Sequence, residues 1–277
     1  MSIHIDVAGA QIAGSRKRQE DFFAIHKDVA LHGEVKGILA LLCDGMGGHV
    51  KGDIASKLAC EAFYGCFIDY IGLDLKDRLG ASLVAANEAI RAAAEENPEH
   101  EGMGTTLIAV VVHKNLLHWI SVGDSPLWLK RKKELRRLNA DHSMAPVLDK
   151  LVEIGEITMD EAKADKGRSQ LRSALTGNEF NLVDITDEPL TLALGDDIVL
   201  ASDGIRSLET DEINRLLRKG RSRTTQQRAL ALLEKVSRKN QLPQDNATVV
   251  IIKCGSEPPR IATKFKQVAS KFRLIFS

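Results

Sequence analysis

No apolar run in the chain approaches the ~20 residues a membrane-spanning helix needs. Its opening stretch, MSIHIDVAGAQIAGSRKRQED, lacks the basic-then-apolar order of a secretory leader. A cytoplasmic protein is expected. Charge of one sign is not in excess either, since 38 Lys plus Arg balance 38 Asp plus Glu. No overall field therefore draws the molecule to nucleic acid or to an anionic membrane. The four cysteines, Cys43, Cys60, Cys66 and Cys254, lie in apolar surroundings without C-x-x-C spacing. That signals neither a zinc site nor a disulfide framework and favours buried thiols. No linker rich in Pro, Ser or Gly, no internal repeat and no low-complexity segment divides the chain. At 44% hydrophobic, its 277 residues are expected to close around one large core.

What is present is a set of aspartates at the turn-forming ends of apolar segments: Asp44 in LALLCDGMGGH, Asp124 in WISVGDS, Asp203 in IVLASDGI and Asp245 in LPQDNATVVII. One Asp-Gly pair marks only a turn. Four acids placed alike are the usual way for a fold to gather hard oxygen ligands around divalent cations.

Strands are expected over 3–9, 21–26 and 37–43, the last an unbroken run, GILALLC, of the kind buried on both faces. Apolar spacing of about 3.6 predicts helices over 52–70 and 76–96. A meander of strands follows at 105–112, 116–122, 126–131 and 134–138. A short helical pair is expected over 144–155 and 158–164, with Thr158 and Glu161 forming a capping box. Strands resume at 180–186 and 197–202, helices at 209–218 and 224–239, and a last strand at 247–253. Strand blocks interleaved with helix pairs, without strict alternation, indicate an α+β fold in which two antiparallel sheets pack together and helices cover both outer faces, an α-β-β-α sandwich.

Six elements, DGMGGHVKGDIAS at 44–56, the pair GTT at 104–106 and VGDS at 122–125, DHS at 141–143, SDG at 202–204, DNAT at 245–248 and SRKRQED at 15–21, occur in one order and spacing. In that register the chain resembles the metal-dependent protein phosphatases, the type 2C or PPM family. The DGMGGH form with Met46 is similar to the bacterial branch. Gln19 stands where those members commonly carry Asn. The resemblance implies a catalytic domain over 1–254, a substrate-biasing flap over about 144–172, and a basic amphipathic tail over 255–277 outside the family pattern.

The resemblance further implies hydrolysis of phosphoserine and phosphothreonine in proteins by attack of a hydroxide bridging two Mn²⁺ or Mg²⁺ ions. Asp44 would bridge the ions, the Gly45 carbonyl would serve one of them, and Asp203 and Asp245 would complete the shell of the other. Arg16 would hold the phosphate, since a guanidinium fork matches its oxygens bidentately. Glu20 and Asp21 would orient bound water. Being adjacent, they point to opposite faces in a strand, so one of them is open to a purely structural role. Asp124 matches an acid that in relatives holds a third, weaker ion. Its expected partner acid, four residues after Asp203, is here Ser207, and Pro126 replaces the Arg usual after the Ser.

Met46 stands where eukaryotic relatives carry a histidine proton donor and cannot itself transfer a proton. His49 is the nearest titratable side chain, against the commoner role of a solvated residue at a helix start. Lys163, Lys166, Arg168 and Arg172 on the flap suit either an acidic partner or plain solvation. The tail suits docking on the catalytic domain, on a partner or on a membrane surface. Expected partners are a phosphorylated protein substrate and an opposing serine/threonine kinase. Two alternatives stay open: a non-catalytic binding member of the same fold, and a phosphatase of small phosphate esters.

Overall fold

The structure is a computed structural model that describes residues 3–32, 35–46, 51–220, 223–239 and 242–256. His49 and the tail from residue 257 lie outside the described residues. In chain order the elements are β1 (His4–Ile12), β2 (Asp21–His32), β3 (Val35–Met46), α1 (Gly52–Asp69), α2 (Leu75–Glu96), β4 (Gly104–Thr105), β5 (Leu107–His113), β6 (Leu116–Val122), β7 (Leu127–Arg131) and β8 (Glu134–Arg137). Then come α3 (Ala145–Glu153), α4 (Met159–Ala164), β9 (Asp184–Ile185), β10 (Leu190–Thr191), β11 (Asp197–Ala201), α5 (Thr210–Lys219), α6 (Thr225–Lys239) and β12 (Ala247–Gly255).

The strands form two sheets, ordered β1-β12-β11-β7-β8 and β10-β6-β5-β3-β2, with β4 paired to β3 and β9 to β6. Every ladder is antiparallel. The expected sandwich of two sheets with helices outside is what the chain forms. Strand alternation explains how. In β3, Leu39, Leu41 and Cys43 turn to the cluster that includes Ala59 and Phe63 of α1 and Leu83 and Ile90 of α2. Ala40 and Leu42 turn the other way, to the layer between the sheets, where they meet Ile108, Val110, Leu200 and Val250. In β12 and β11, Val249, Ile251, Val199 and Ala201 pack beneath Ile213, Leu217, Leu232 and Val236 of α5 and α6. A central strand covered on both faces has no polar face, so its sequence runs apolar without a break.

Two local expectations need correction. The strand expected over 180–186 is reduced to Asp184–Ile185, which pairs only with Ile120 and Ser121 at a sheet edge. The segment expected as one strand from 105 is divided at Thr106 into β4, which pairs the end of β3, and β5. The division matters for the site, because it frees Thr106 to reach Asp44.

Candidate active site

The carboxyl ends of β3, β6 and β11 and the amino ends of β2 and β12 open on one side of the sandwich. There they surround a cleft of about 1110 Å³ lined by Arg16, Glu20, Asp44, Asp124, Asp203 and Asp245, among others. Asp44 ends the long apolar strand and stands directly across the ladder from Asp21. Its backbone is pinned on all sides: its N–H donates to Thr106 Oγ1 at 3.2 Å, and its carbonyl accepts from Thr105 Oγ1 and from the Thr106 N–H, both at 2.9 Å. Its carboxylate Oδ2 accepts from the Asp203 N–H at 3.3 Å. Burial first, then the neighbouring Asp21 and Asp203 charges, hold the Asp44 carboxyl well above the usual carboxylate range.

Gly45 lies under a backbone crossing. A Cβ built there would fall 2.1 Å from the Gly52 carbonyl oxygen and 2.5 Å from that of Glu20, so no side chain fits. Its N–H donates to the Glu20 carbonyl at 3.2 Å. Gly204, after Asp203, is equally constrained, with a built Cβ 1.9 Å from the Asn246 carbonyl oxygen.

Glu20 and Asp21 go separate ways. Asp21 is 4% exposed, and its Oδ2 accepts from Ser202 Oγ and Thr248 Oγ1, each at 2.7 Å. Its Oδ1 is buried without a hydrogen-bond partner. Burial pushes its carboxyl up to about 6, against the pull of the two hydroxyls. Glu20, just before β2, faces the cleft. Asp203 is likewise pushed up to about 6, by burial first and then by the Asp124 charge.

Arg16 reaches the cleft from the loop after β1 and pairs with Asp245 at 2.6 Å, both side chains being half exposed at 52% and 41%. Asn246 holds that loop in place. Its Nδ2 donates to the carbonyls of Ala13 at 2.8 Å and Arg18 at 2.9 Å, while its Oδ1 accepts from the Glu20 N–H at 2.8 Å. Asp124 is bound elsewhere, to Arg206 Nη2 at 2.9 Å. The six acids and Arg16 singled out in the sequence, with Gly45, are thus brought to one cleft or its floor.

Sequence reasoning quoted Thr105, Thr106, Ser202, Asn246 and Thr248 within its motifs without giving them a role, and passed over Arg206 altogether. All are polar residues in or beside the Asp-bearing turns, and a polar residue at a buried strand end must find a partner. That rule was the available signal.

Among the described residues, no group of three or more His, Cys, Asp or Glu side chains is arranged to hold a metal ion as it stands. Arg16 and Arg206 draw Asp245 and Asp124 to themselves. The donor chemistry nevertheless fits a hard divalent cation. Asp21, Asp44 and Asp203 repel one another in a desolvated place, and a buried carboxylate oxygen lacks any partner. Oxygen donors short of positive charge are what Mg²⁺ and Mn²⁺ take.

The family model for protein phosphatase 2C matches residues 9–244. The chain belongs to the protein phosphatase 2C family. Serine/threonine protein phosphatase PstP of Mycobacterium tuberculosis is 39% identical over 174 residues, 63% of this chain and 33% of PstP, so the chain spans about a third of that relative's length. Serine/threonine phosphatase stp of Listeria monocytogenes is 28% identical over 219 residues, 77% of this chain and 83% of the relative. A crystal structure of the M. tuberculosis phosphatase superposes with a TM-score of 0.73 at 32% identity, covering 92% of this chain and all of that one. The PstP catalytic domain solved in complex with two manganese ions superposes with a TM-score of 0.71 at 31% identity, over the same shares. This member of the family therefore carries its aspartates on a scaffold it shares with those phosphatases.

Proposed function

We propose that the chain is a metal-dependent protein phosphatase that hydrolyses phosphoserine and phosphothreonine. The observation that carries this reading is the gathering of Asp44, Asp203 and Asp245 with Arg16 in one cleft, where burial and mutual repulsion leave Asp44 and Asp203 short of positive charge. Asp44, the Gly45 carbonyl, Asp203 and Asp245 would hold two Mn²⁺ or Mg²⁺ ions, the number bound in the solved PstP catalytic domain. Such ions neutralise phosphoryl charge and lower the pKa of water.

The protein's own part is positional. Arg16 exchanges Asp245 for the substrate's phosphate oxygens; its half-exposed pair costs little to open, since such surface pairs contribute about 0–1 kcal/mol. Asp21, locked by Ser202 and Thr248, fixes the floor against Asp44, and Glu20 orients water from the cleft wall. Asn246 keeps the Arg16 loop and Glu20 at constant separation.

Residues 1–254 would form the catalytic domain, with 144–172 as its flap. Gln170, Leu171 and Arg172 from the end of that segment line the cleft. Lys17, Arg18 and Arg172 make its rim basic, which suits a phosphorylated segment of protein chain. A serine/threonine kinase would supply the substrate. No helix among the described residues is long and apolar enough to cross a membrane.

The test is phosphate release from a phosphothreonine peptide, a phosphotyrosine peptide and small phosphate esters, each with Mn²⁺ and with chelator. Turnover should require Mn²⁺, favour the phosphothreonine peptide and vanish in Asp44→Ala. Arg16→Ala should lose on the order of 10²-fold, as for other lost donors to transition-state charge. Undiminished turnover with chelator or in Asp44→Ala would sink the proposal. Preference for small esters would redirect it to that substrate class, and no turnover at all would make the chain a binding protein.

A further inference from the structure

Asp124 lies in the turn between β6 and β7, with its side chain only 5% exposed, and Arg206 Nη2 meets Oδ2 at 2.9 Å. The same nitrogen donates to the Asp124 carbonyl at 3.2 Å and stands 3.8 Å from Asp141 Oδ2. A second guanidinium, Arg137, donates to Asp141 Oδ2 at 2.6 Å and to the Asp124 carbonyl at 2.8 Å. Two carboxylates thus face two permanently charged cations, a balance that the acids around Asp44 do not have.

Arg206 is delivered by the short 3₁₀ turn Asp203–Ser207, which also carries Asp203. Asp141 stands just before the flap segment, accepting from the Ser143 N–H at 2.9 Å, and the His142 N–H donates to the Gly123 carbonyl at 3.1 Å.

We propose that Arg206 is a tethered cation that takes the place of a further metal ion at Asp124, and that its cluster ties the root of the flap to the turn bearing Asp203. The proposal rests on the two-ion reading given above. A divalent ion at Asp124 would need more oxygen donors close by. Both oxygens of Asp141 are already taken, by Arg137 and by the Ser143 N–H, and Ser207 is a neutral hydroxyl that donates to the Gly204 carbonyl at 3.3 Å. An arriving ion would also meet the guanidinium charge at short range and would have to displace it from a buried carboxylate.

The Arg16–Asp245 pair is of another kind. Both of its side chains are half exposed, and one contact joins them. That pair opens to solvent, whereas Asp124 would be left buried and unpaired.

The test combines two measurements on wild type, Arg206→Gln, Asp124→Asn and the double variant: the denaturant midpoint of unfolding in chelator, and Mn²⁺ bound per chain by equilibrium dialysis. Arg206→Gln strands a buried carboxylate and should lower the midpoint most. Adding Asp124→Asn to it removes that charge and should recover part of the loss. Asp124→Asn alone should bind as many ions as wild type. Additive losses in the double variant, or one ion fewer in Asp124→Asn, would overturn the proposal. A wild type that binds no Mn²⁺ would defeat the two-ion reading, and recovery in the double variant would still decide whether Arg206 is the cation that serves Asp124.

Discussion

Gly204 sits between a candidate ligand and the strand that answers it. Its missing side chain lets the turn after β11 press on the Asn246 carbonyl, 1.9 Å from where a Cβ would lie. Gly204→Ala must therefore push residues 245–246 away, moving Asp245 and loosening the three hydrogen bonds through which Asn246 holds the Arg16 loop and Glu20. Kinetics of the variant should show Mn²⁺ affinity and kcat/KM falling together by roughly 10–100-fold, the usual scale for a disturbed supporting shell. Unchanged values would mean that the turn relaxes without moving the ligands. Asp44, Asp203 and Asp245 were legible in the sequence because an acid at the end of an apolar run has few bland explanations. The roles of Asn246 and Arg206 were not, because they depend on partners more than 80 residues away, which no local pattern displays.

Among the elements, the long periodic ones were readable and the short edge ones were not. β3, α1 and α2 each bury a continuous face, so hydrophobic spacing alone defines them. The 180–186 segment has strand-like composition, but side chains take up part of its pairing: Trp119 Nε1 donates to Asp184 Oδ2 at 2.7 Å, and Thr186 Oγ1 accepts from the Trp119 N–H at 2.9 Å. Only two residues are then left in a ladder. The flap helix α4 shows the opposite case, in which local chemistry suffices. Thr158 Oγ1 accepts from the Glu161 N–H, and the Glu161 carboxylate accepts from the Thr158 N–H, closing the capping box expected from the sequence. Thr158→Ala should weaken that helix by about 1 kcal/mol, within the usual range for a lost cap. Faster amide exchange confined to 159–164 would show it, while unchanged exchange would place the helix's stability in its contact with α3.

For the molecule as a whole, gathering acids at one end of the sandwich opposes folding, and the cost depends on pH. Asp203 has its carboxyl raised from 3.8 to about 6 by burial and by Asp124. The fold therefore favours its protonated form. That contribution is fully present below pH 3.8 and is lost as pH rises through about 6. In chelator, unfolding midpoints of Asp203→Asn should gain on wild type across that window and level off above it. A constant difference would show that Asp203 is not desolvated in the fold. Cations compete with protons for the same oxygens, so Mn²⁺ affinity should fall as pH drops below about 6.

Calorimetric titration of Mn²⁺ into wild type, Asp245→Ala and Asp44→Ala tests the shared role of Asp44 most directly. The expected result is two ions for wild type, one for Asp245→Ala and none for Asp44→Ala. Two ions retained in Asp44→Ala would contradict a metal centre built on the end of β3.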